Sequence, residues 1–167
     1  MLKHIKGLLH EKEGLTLYEY AKKVPKNEHI VEIGSHQGYS TCFLALAAAG
    51  TVHAVDIWED ENIFKIFKKN IISTKVSNVK YYRNTSIEQF KLWDKNNVIG
   101  LLFIDGNHSY EYVKDDFNNW SKYCKKGAYI IFHDYSRHWP GVVKFIDECQ
   151  NIDKIKCVKA LYVARLK

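Results

Sequence analysis

A chain of 167 residues that is 46% hydrophobic is long enough to bury one core, and none of its apolar runs approaches the ~20 residues that a membrane-spanning helix needs. The formal net charge of +6 invites a nucleic-acid partner, but Arg83, Arg137 and Arg165 are the only arginines. The lysines are dispersed, with only short pairs such as Lys22-Lys23 and Lys125-Lys126, so nucleic acid is disfavoured.

Cys42, Cys124, Cys149 and Cys157 form no CxxC pair and sit in apolar segments, which reads as buried free thiols in a reducing compartment. Met1–His10 has no unbroken apolar stretch of the kind a secretory leader carries, and both observations favour a cytoplasmic location. Met1–Lys12 is poorly periodic, the loose start of an N-terminal helical segment that extends to about residue 27. Thr16 is placed to cap a helix through Lys23, with Leu17, Tyr20, Ala21 and Val24 inward and Pro25 as its stop. His29–Ile33 reads as a short strand ending at Gly34. Gly38 through Ala49 reads as an Ala-rich helix with Gly50 as the residue that closes it.

Thr51–Ile57 is β-rich, with Asp56 near its end. Asp60–Thr74 is an amphipathic helix carrying Ile63, Phe64, Ile66, Phe67 and Ile71. Val79–Arg83 is the next strand, followed by Asn84-Thr85-Ser86 and a helix through about Trp93. Val98–Ile104 is a continuous apolar run, the mark of a central strand covered on both faces. It ends in Asp105-Gly106-Asn107-His108, and Ser109 is placed to cap a helix with Tyr112, Val113, Phe117 and Trp120 inward. Gly127–Phe132 is another buried strand, ending in His133-Asp134, and Gly141–Cys149 is helical by pattern. Ile155–Val158 and Leu161–Leu166 are strands with too few residues between them for a crossover, so they are antiparallel neighbours. The order predicts a single α/β domain over residues 1–167, Rossmann-like and doubly wound, whose seven-stranded sheet is mostly parallel with an antiparallel last strand.

Ligands in such sheets bind beyond the C-terminal strand ends, where the winding reverses. Those ends carry Gly34, Asp56, Asn84-Thr85-Ser86, Asp105 with His108, and His133-Asp134. The stretch Ile30-Val31-Glu32-Ile33-Gly34 turns into a second helix-opening glycine at Gly38, which gathers backbone N–H groups and a positive dipole end at one spot. The spacing is Gly34-x-x-x-Gly38, not the GxGxxG that cradles a pyrophosphate. Asp56 stands 22 residues after Gly34, where a carboxylate accepts both hydroxyls of a ribose.

Glu32-x-Gly34-x-x-x-Gly38-Tyr39-Ser40, the Asp56 strand end and the reversed final strand resemble class I S-adenosylmethionine-dependent methyltransferases. Phe103-Ile104-Asp105-Gly106-Asn107-His108-Ser109-Tyr110, followed by Gly127 and His133-Asp134, narrows the resemblance to the small-molecule O-methyltransferase branch with the macrolide-sugar and catechol-type enzymes. It covers about Ile30 to Val143. The resemblance implies that Glu32, Gly34, Ser35 and Gly38 shape the floor under the methionine part of S-adenosylmethionine, and that Ser40 meets its carboxylate. It implies Asp56 on the ribose, with Trp58 as a wall for the adenine and Ser86 as an adenine contact; the alternative for Ser86 is a helix cap.

If the fourth and fifth strands are neighbours, Asp105 and Asp134 lie about 4.8 Å apart laterally and repel unless protonated or shared with a cation. Mg²⁺ or another divalent cation would accept both and polarise a substrate hydroxyl. In the macrolide-sugar enzymes Asp-x-x-His supplies a metal ligand and a general base, and Asp105 and His108 have that spacing. This chain departs from the pattern with His133 where the sugar enzymes are acidic, and with Tyr135 where the catechol type has asparagine. His133 either joins Asp105 and Asp134 as a ligand for a softer ion or stands behind the site as a hydrogen-bonding residue. His36 lies inside the glycine turn, whereas His4, His10, His29 and His53 read as surface or strand-edge residues. Tyr135, Arg137 and His138-Trp139-Pro140 lie over the expected pocket mouth, within reach of substrate or packed on one another.

The reading is methyl transfer from S-adenosylmethionine to a hydroxyl of a small-molecule acceptor, a sugar or another metabolite. An RNA methyltransferase is the alternative within the same chemistry, though the (Asp/Asn)-Pro-Pro-(Tyr/Phe) element of amine methylation is absent. A non-catalytic S-adenosylmethionine-binding module is the other. The segment before Glu28 is short for a substrate cover, which a second copy of the chain in a homo-oligomer would supply.

Overall fold

The first described helix, α1 (Glu11–Ala21), begins ahead of Thr16 because His10 caps it. Its ring Nδ1 accepts from Lys12 N at 3.1 Å, and the Glu13 carboxylate accepts from His10 N at 2.9 Å, which closes a capping box. Thr16 lies inside the helix and donates back to Lys12 O at 2.8 Å. Histidine is outside the usual Ser/Thr/Asp/Asn cap set, so the start was legible only from the fold. The inner residues Leu17, Tyr20, Ala21 and Val24 are buried as their spacing predicts. The computed structural model describes residues 2, 5 and 7–167. Met1, Lys3, His4 and Lys6, and with them the surface placement expected for His4 and the start of the expected N-terminal helical segment, lie outside the described residues.

Strands β1 (His29–Ile33), β2 (Val52–Asp56), β3 (Val79–Arg83), β4 (Ile99–Ile104), β5 (Cys124–Phe132), β6 (Ile152–Val158) and β7 (Leu161–Leu166) form one sheet in the order β3-β2-β1-β4-β5-β7-β6. The first five are parallel, and β7 runs antiparallel to both β5 and β6. The parallel crossovers carry α2 (Tyr39–Ala47), α3 (Glu61–Ser73), α4 (Ser86–Lys91) and α5 (Tyr110–Trp120), and α6 (Pro140–Glu148) follows β5. Among the described residues no helix is long and apolar enough to cross a membrane.

Alternation along the strands divides the core. Val31, Ile33, Leu102, Ile104, Ile130 and Phe132 pack with Val113, Phe117 and Trp120 of α5 and Phe145 of α6. Ile30, Leu101, Phe103, Ile131 and Val163 pack with Leu17 and Tyr20 of α1 and Phe43 and Leu44 of α2. Each such side chain, fully removed from water, contributes roughly 1.5–3 kcal/mol.

Several local expectations shift by a residue or a face. Tyr112 is 61% exposed, and Asp116 takes the inner position beside Val113, Phe117 and Trp120, since 113, 116, 117 and 120 complete one helical stripe. Helix α2 stops at Ala47, so Gly50 is not its closing residue. A Cβ at Gly50 would sit 2.6 Å from Glu28 O, so backbone approach accounts for that glycine. The carbonyls of Ala45, Ala48 and Gly50 are bonded by Asn78 Nδ2 at 3.1, 3.2 and 3.1 Å. All four cysteines are free, but only Cys42 is buried, and Cys157 is exposed.

His53 is not an edge residue. It is 2% exposed on β2, with Nε2 at 2.9 Å from His29 Nδ1 and Nδ1 at 3.0 Å from Tyr82 Oη. Burial, with His29 and Lys80 nearby, pushes its pKa down to about 3. The unfolded chain therefore binds a proton near pH 6.5 that the folded chain refuses, so this group makes stability fall as pH falls from about 6.5 toward 3. The expected loss is roughly 2–3 kcal/mol between pH 6.5 and 4.5. Urea denaturation of wild type and His53→Gln across that window checks it: the difference between the two proteins should shrink as pH falls, and a constant difference would reject the assignment.

Candidate active site

Strand β1 stops where its chain must bend sharply toward α2. Gly34 takes φ +85°, and a Cβ there would lie 2.0 Å from Asp105 O, so the turn closes directly on the end of β4. Ile33 O accepts from Asp105 N at 2.8 Å, and Gly34 N donates to Val55 O at 2.9 Å. This is the switch point of the sheet, with β1 between β2 and β4.

The turn is braced by the end of β2. Asp56 Oδ2 accepts from Ser35 N at 2.9 Å and His36 N at 2.8 Å, and Oδ1 accepts from Trp58 N at 2.8 Å. A carboxylate has about four acceptor positions, so one on Oδ1 stays open. Trp58 Nε1 donates to His36 O at 2.7 Å, and Asn70 Nδ2 donates to Gln37 O at 2.9 Å. Gly38, at φ +81°, caps α2 without a side-chain hydrogen bond, which leaves the first-turn amides without a side-chain acceptor.

Glu32 lies beneath this turn, wholly buried. Its Oε2 accepts from Ser35 Oγ at 2.9 Å and from Thr41 Oγ1. Its Oε1 is buried and receives no hydrogen bond. Burial raises the carboxyl pKa to about 7 against the opposing hydroxyls of Ser40, Thr41 and Ser35. A buried acceptor with no donor is costly, and a ligand that brings an N–H group relieves the cost.

The structure thus brings together Glu32, Gly34, Ser35, Gly38, Ser40 and Asp56. It separates two other expected cofactor residues from that role. Trp58 is 2% exposed, its ring packed on Phe67 and Phe64 at centroid distances of 4.5 and 4.9 Å, so it braces the turn instead of walling a ligand. Ser86 is not a cap, because Thr85 and Glu88 form the capping box of α4. Its hydroxyl accepts from Trp120 Nε1 at 2.9 Å and also bonds the buried Asp116 carboxyl, whose pKa burial lifts to about 6.

Across the switch point, β4 and β5 are neighbours, with Ile104 opposite Phe132. Their ends gather Asp105, His133 and Asp134. His133 Nδ1 lies 3.1 Å from Asp105 Oδ1 and 3.3 Å from Asp134 Oδ2, and Nε2 lies 3.4 Å from Glu13 Oε2. His108 Nε2 lies 2.7 Å from Asp134 Oδ2. Burial works against a charged His133 ring, but hydrogen bonds to Asp105, Asp134 and Glu13 outweigh it and push its pKa up to about 12. Burial likewise disfavours charge on Asp134, yet the His108 and His133 contacts hold its carboxyl well below the usual range. Asp105 is raised by burial, with His133 opposing.

Both ring nitrogens of His133 face carboxylates, Nε2 toward Glu13 and Nδ1 toward Asp105 and Asp134. Among the described residues, Asp105, His108 and Asp134 form a group whose ligand atoms all lie within 4.8 Å of one another, so His108 joins the two carboxylates in a candidate cation set beside the expected His133. Trp139 packs on the His108 ring at a centroid distance of 4.1 Å, beside an open cleft of about 450 Å³ lined by Asn107, His108, Ser109, Trp139, Pro140 and Gly141. Tyr135 is turned away, its hydroxyl donating to Asp147 at 2.8 Å and its ring packed on Tyr162. Glu13 was not legible as a site residue, although it lies four positions before Leu17 on the buried stripe of α1, and a charge on such a stripe is a signal.

A family model described as a methyltransferase domain matches residues 31–135, more than half of the chain. Among curated proteins, the uncharacterized protein R132 of Acanthamoeba polyphaga mimivirus is 37% identical over 103 residues, covering 55% of this chain and 45% of its own length. The chain spans less than half the length of the curated relatives it matches. Among solved structures, the Bacillus cereus O-methyltransferase in complex with SAH superposes with a TM-score of 0.76 at 17% identity, covering 95% of this chain and 82% of that one. The O-methyltransferase TomG of Streptomyces achromogenes, involved in tomaymycin synthesis and solved with SAM, gives a TM-score of 0.76 at 17% identity over 95% of this chain and 80% of its own. At these identities the structures show a shared fold.

Proposed function

The chain belongs to the methyltransferase-domain family, and from that premise we propose that it transfers the methyl group of S-adenosylmethionine to a hydroxyl of a small molecule, a sugar or another metabolite. The observation that carries the reading is the orphaned Glu32 Oε1 under the glycine turn, on the opposite side of the switch point from the His108–Asp134 pair. The solved relatives that hold SAM or SAH support the choice of cofactor.

S-adenosylmethionine supplies, when bound, a methyl group on a sulfonium whose positive charge is lost in the transfer. Glu32 Oε1 would accept from its ammonium group, the open amides of α2 would meet its carboxylate, and the remaining acceptor position of Asp56 would take a ribose hydroxyl. His108 would take the acceptor's hydroxyl proton. Because Asp134 is an ionised acceptor at 2.7 Å from His108 Nε2, that nitrogen carries the ring proton and Nδ1 holds the free lone pair. Asp134 would then stabilise the imidazolium that forms. A divalent cation held by Asp105, His108 and Asp134 would take the His108 lone pair and would supply Lewis acidity toward the hydroxyl in place of His108 as proton acceptor. Among the described residues no Asp, Glu, Lys or Arg lines the cleft beside His108, which supports a small neutral acceptor over nucleic acid.

Calorimetry with S-adenosylmethionine tests the reading, on wild type and Glu32→Gln. Wild type should bind, and the variant should bind at least about tenfold more weakly, since the charged partner of the ammonium is gone. The folded pKa of Glu32 lies above its unfolded value, so its effect on stability worsens as pH rises from about 4.5 to 7. At pH 8 the variant should therefore melt no lower than wild type. A folded wild-type protein that fails to bind would end the methyl-transfer reading.

A further inference from the structure

We propose that Glu13 is a positioning residue for His108, acting through His133 and Asp134, so that the first helix forms part of the reacting apparatus. The proposal rests on the preceding reading only in naming His108 as the proton acceptor. Capping does not by itself account for Glu13. A capping-box glutamate ordinarily stays in water, whereas Glu13 is 3% exposed, and a buried carboxylate is costly unless donors surround it.

Its donors come from three parts of the chain. His10 N, in its own helix cap, donates to Oε2 at 2.9 Å, and Ala160 N, in the turn between β6 and β7, donates to Oε1 at 2.8 Å. The third is His133 Nε2, at 3.4 Å from Oε2. With Glu13 in place, one ring orientation of His133 satisfies both nitrogens, Nε2 toward α1 and Nδ1 toward Asp105 and Asp134. Without the carboxylate, that orientation loses its outer partner and the ring is free to turn. Asp134 Oδ2 would then lose the donor that holds it from behind, and its contact with His108 Nε2 would no longer be fixed. Among the described residues, no hydrogen bond or ion pair joins Glu13 to His108 directly, so any effect on His108 must pass along the chain.

The test follows the ring signals of His108 and His133 in long-range ¹H–¹⁵N spectra, assigned by their loss in His108→Gln and His133→Gln. Glu13→Ala removes the partner, and Glu13→Gln serves where the alanine variant does not fold, since it keeps an acceptor for Ala160 N. Leu17→Val loosens the same helix without touching the contacts and is the control. The expected result is displacement of both rings' signals in the Glu13 variants and of neither in Leu17→Val. Signals of His108 that stay in place while those of His133 move would overturn the proposal, as would equal displacement in the control. Calorimetry with S-adenosylmethionine on the same samples keeps the two readings apart. Displaced rings without cofactor binding by wild type would support the contact chain and count against methyl transfer alone.

Discussion

Replacing Gly34 with alanine is expected to cost on the order of 4 kcal/mol or more, a large share of the ~5–15 kcal/mol that holds a domain together. Two effects add at this position. The backbone stands at φ +85°, which costs a side-chain-bearing residue roughly 1–2 kcal/mol. The new Cβ would also sit 2.0 Å from Asp105 O, a backbone atom that cannot rotate away, so the end of β4 must move. Gly127 separates these effects: its φ is +78°, and nothing lies within 4 Å of the Cβ it would gain. Gly127→Ala should therefore lose only about 1 kcal/mol, the conformational part. Urea denaturation of the two variants reads the difference. Equal losses would mean that the β1 turn and β4 are not in rigid contact, and the placement of Asp105 would lose its support.

His108→Ala is expected to lower turnover on any accepted hydroxyl by roughly 10²–10⁴-fold, the usual worth of a positioned proton acceptor. Cofactor affinity should hold, because the contacts proposed for Glu32 and Asp56 lie across the switch point and are untouched. Single-turnover kinetics and calorimetry on the same preparation separate the two quantities. If cofactor affinity falls as far as turnover, His108 is shaping the cofactor pocket and is not the base.

Much of this architecture was open to inspection in the chain itself. Burial on one or two faces imposes a period, and the periods of β1, β3, β4 and α3 put their boundaries within a residue or so of where they lie. The brief interval between Val158 and Leu161 already required an antiparallel pair. The clustering of Gly34, Gly38 and Asp56 at adjoining strand ends was legible because a glycine turn after an apolar strand is a local signature, whereas Glu32 was singled out by the family resemblance. Other features were not. The His10 cap depends on a side chain outside the familiar cap set. Trp58 and Ser86 sit at strand ends as expected, but their directions are decided by packing against other elements, the adjoining α3 for the tryptophan and Trp120 with Asp116, some 30 positions away, for the serine.

The sequence by itself determined the strand and helix order, the reversed final strand and the residues delivered to the strand ends, because periodicity, glycine and proline act over a few neighbouring positions. Only the tertiary structure decided which of those residues meet. Glu13 reaches His133 across 120 positions of chain, and His108 reaches Asp134 across the gap between β4 and β5. Such pairings depend on how layers stack and which way a buried ring faces, and no short-range pattern encodes them.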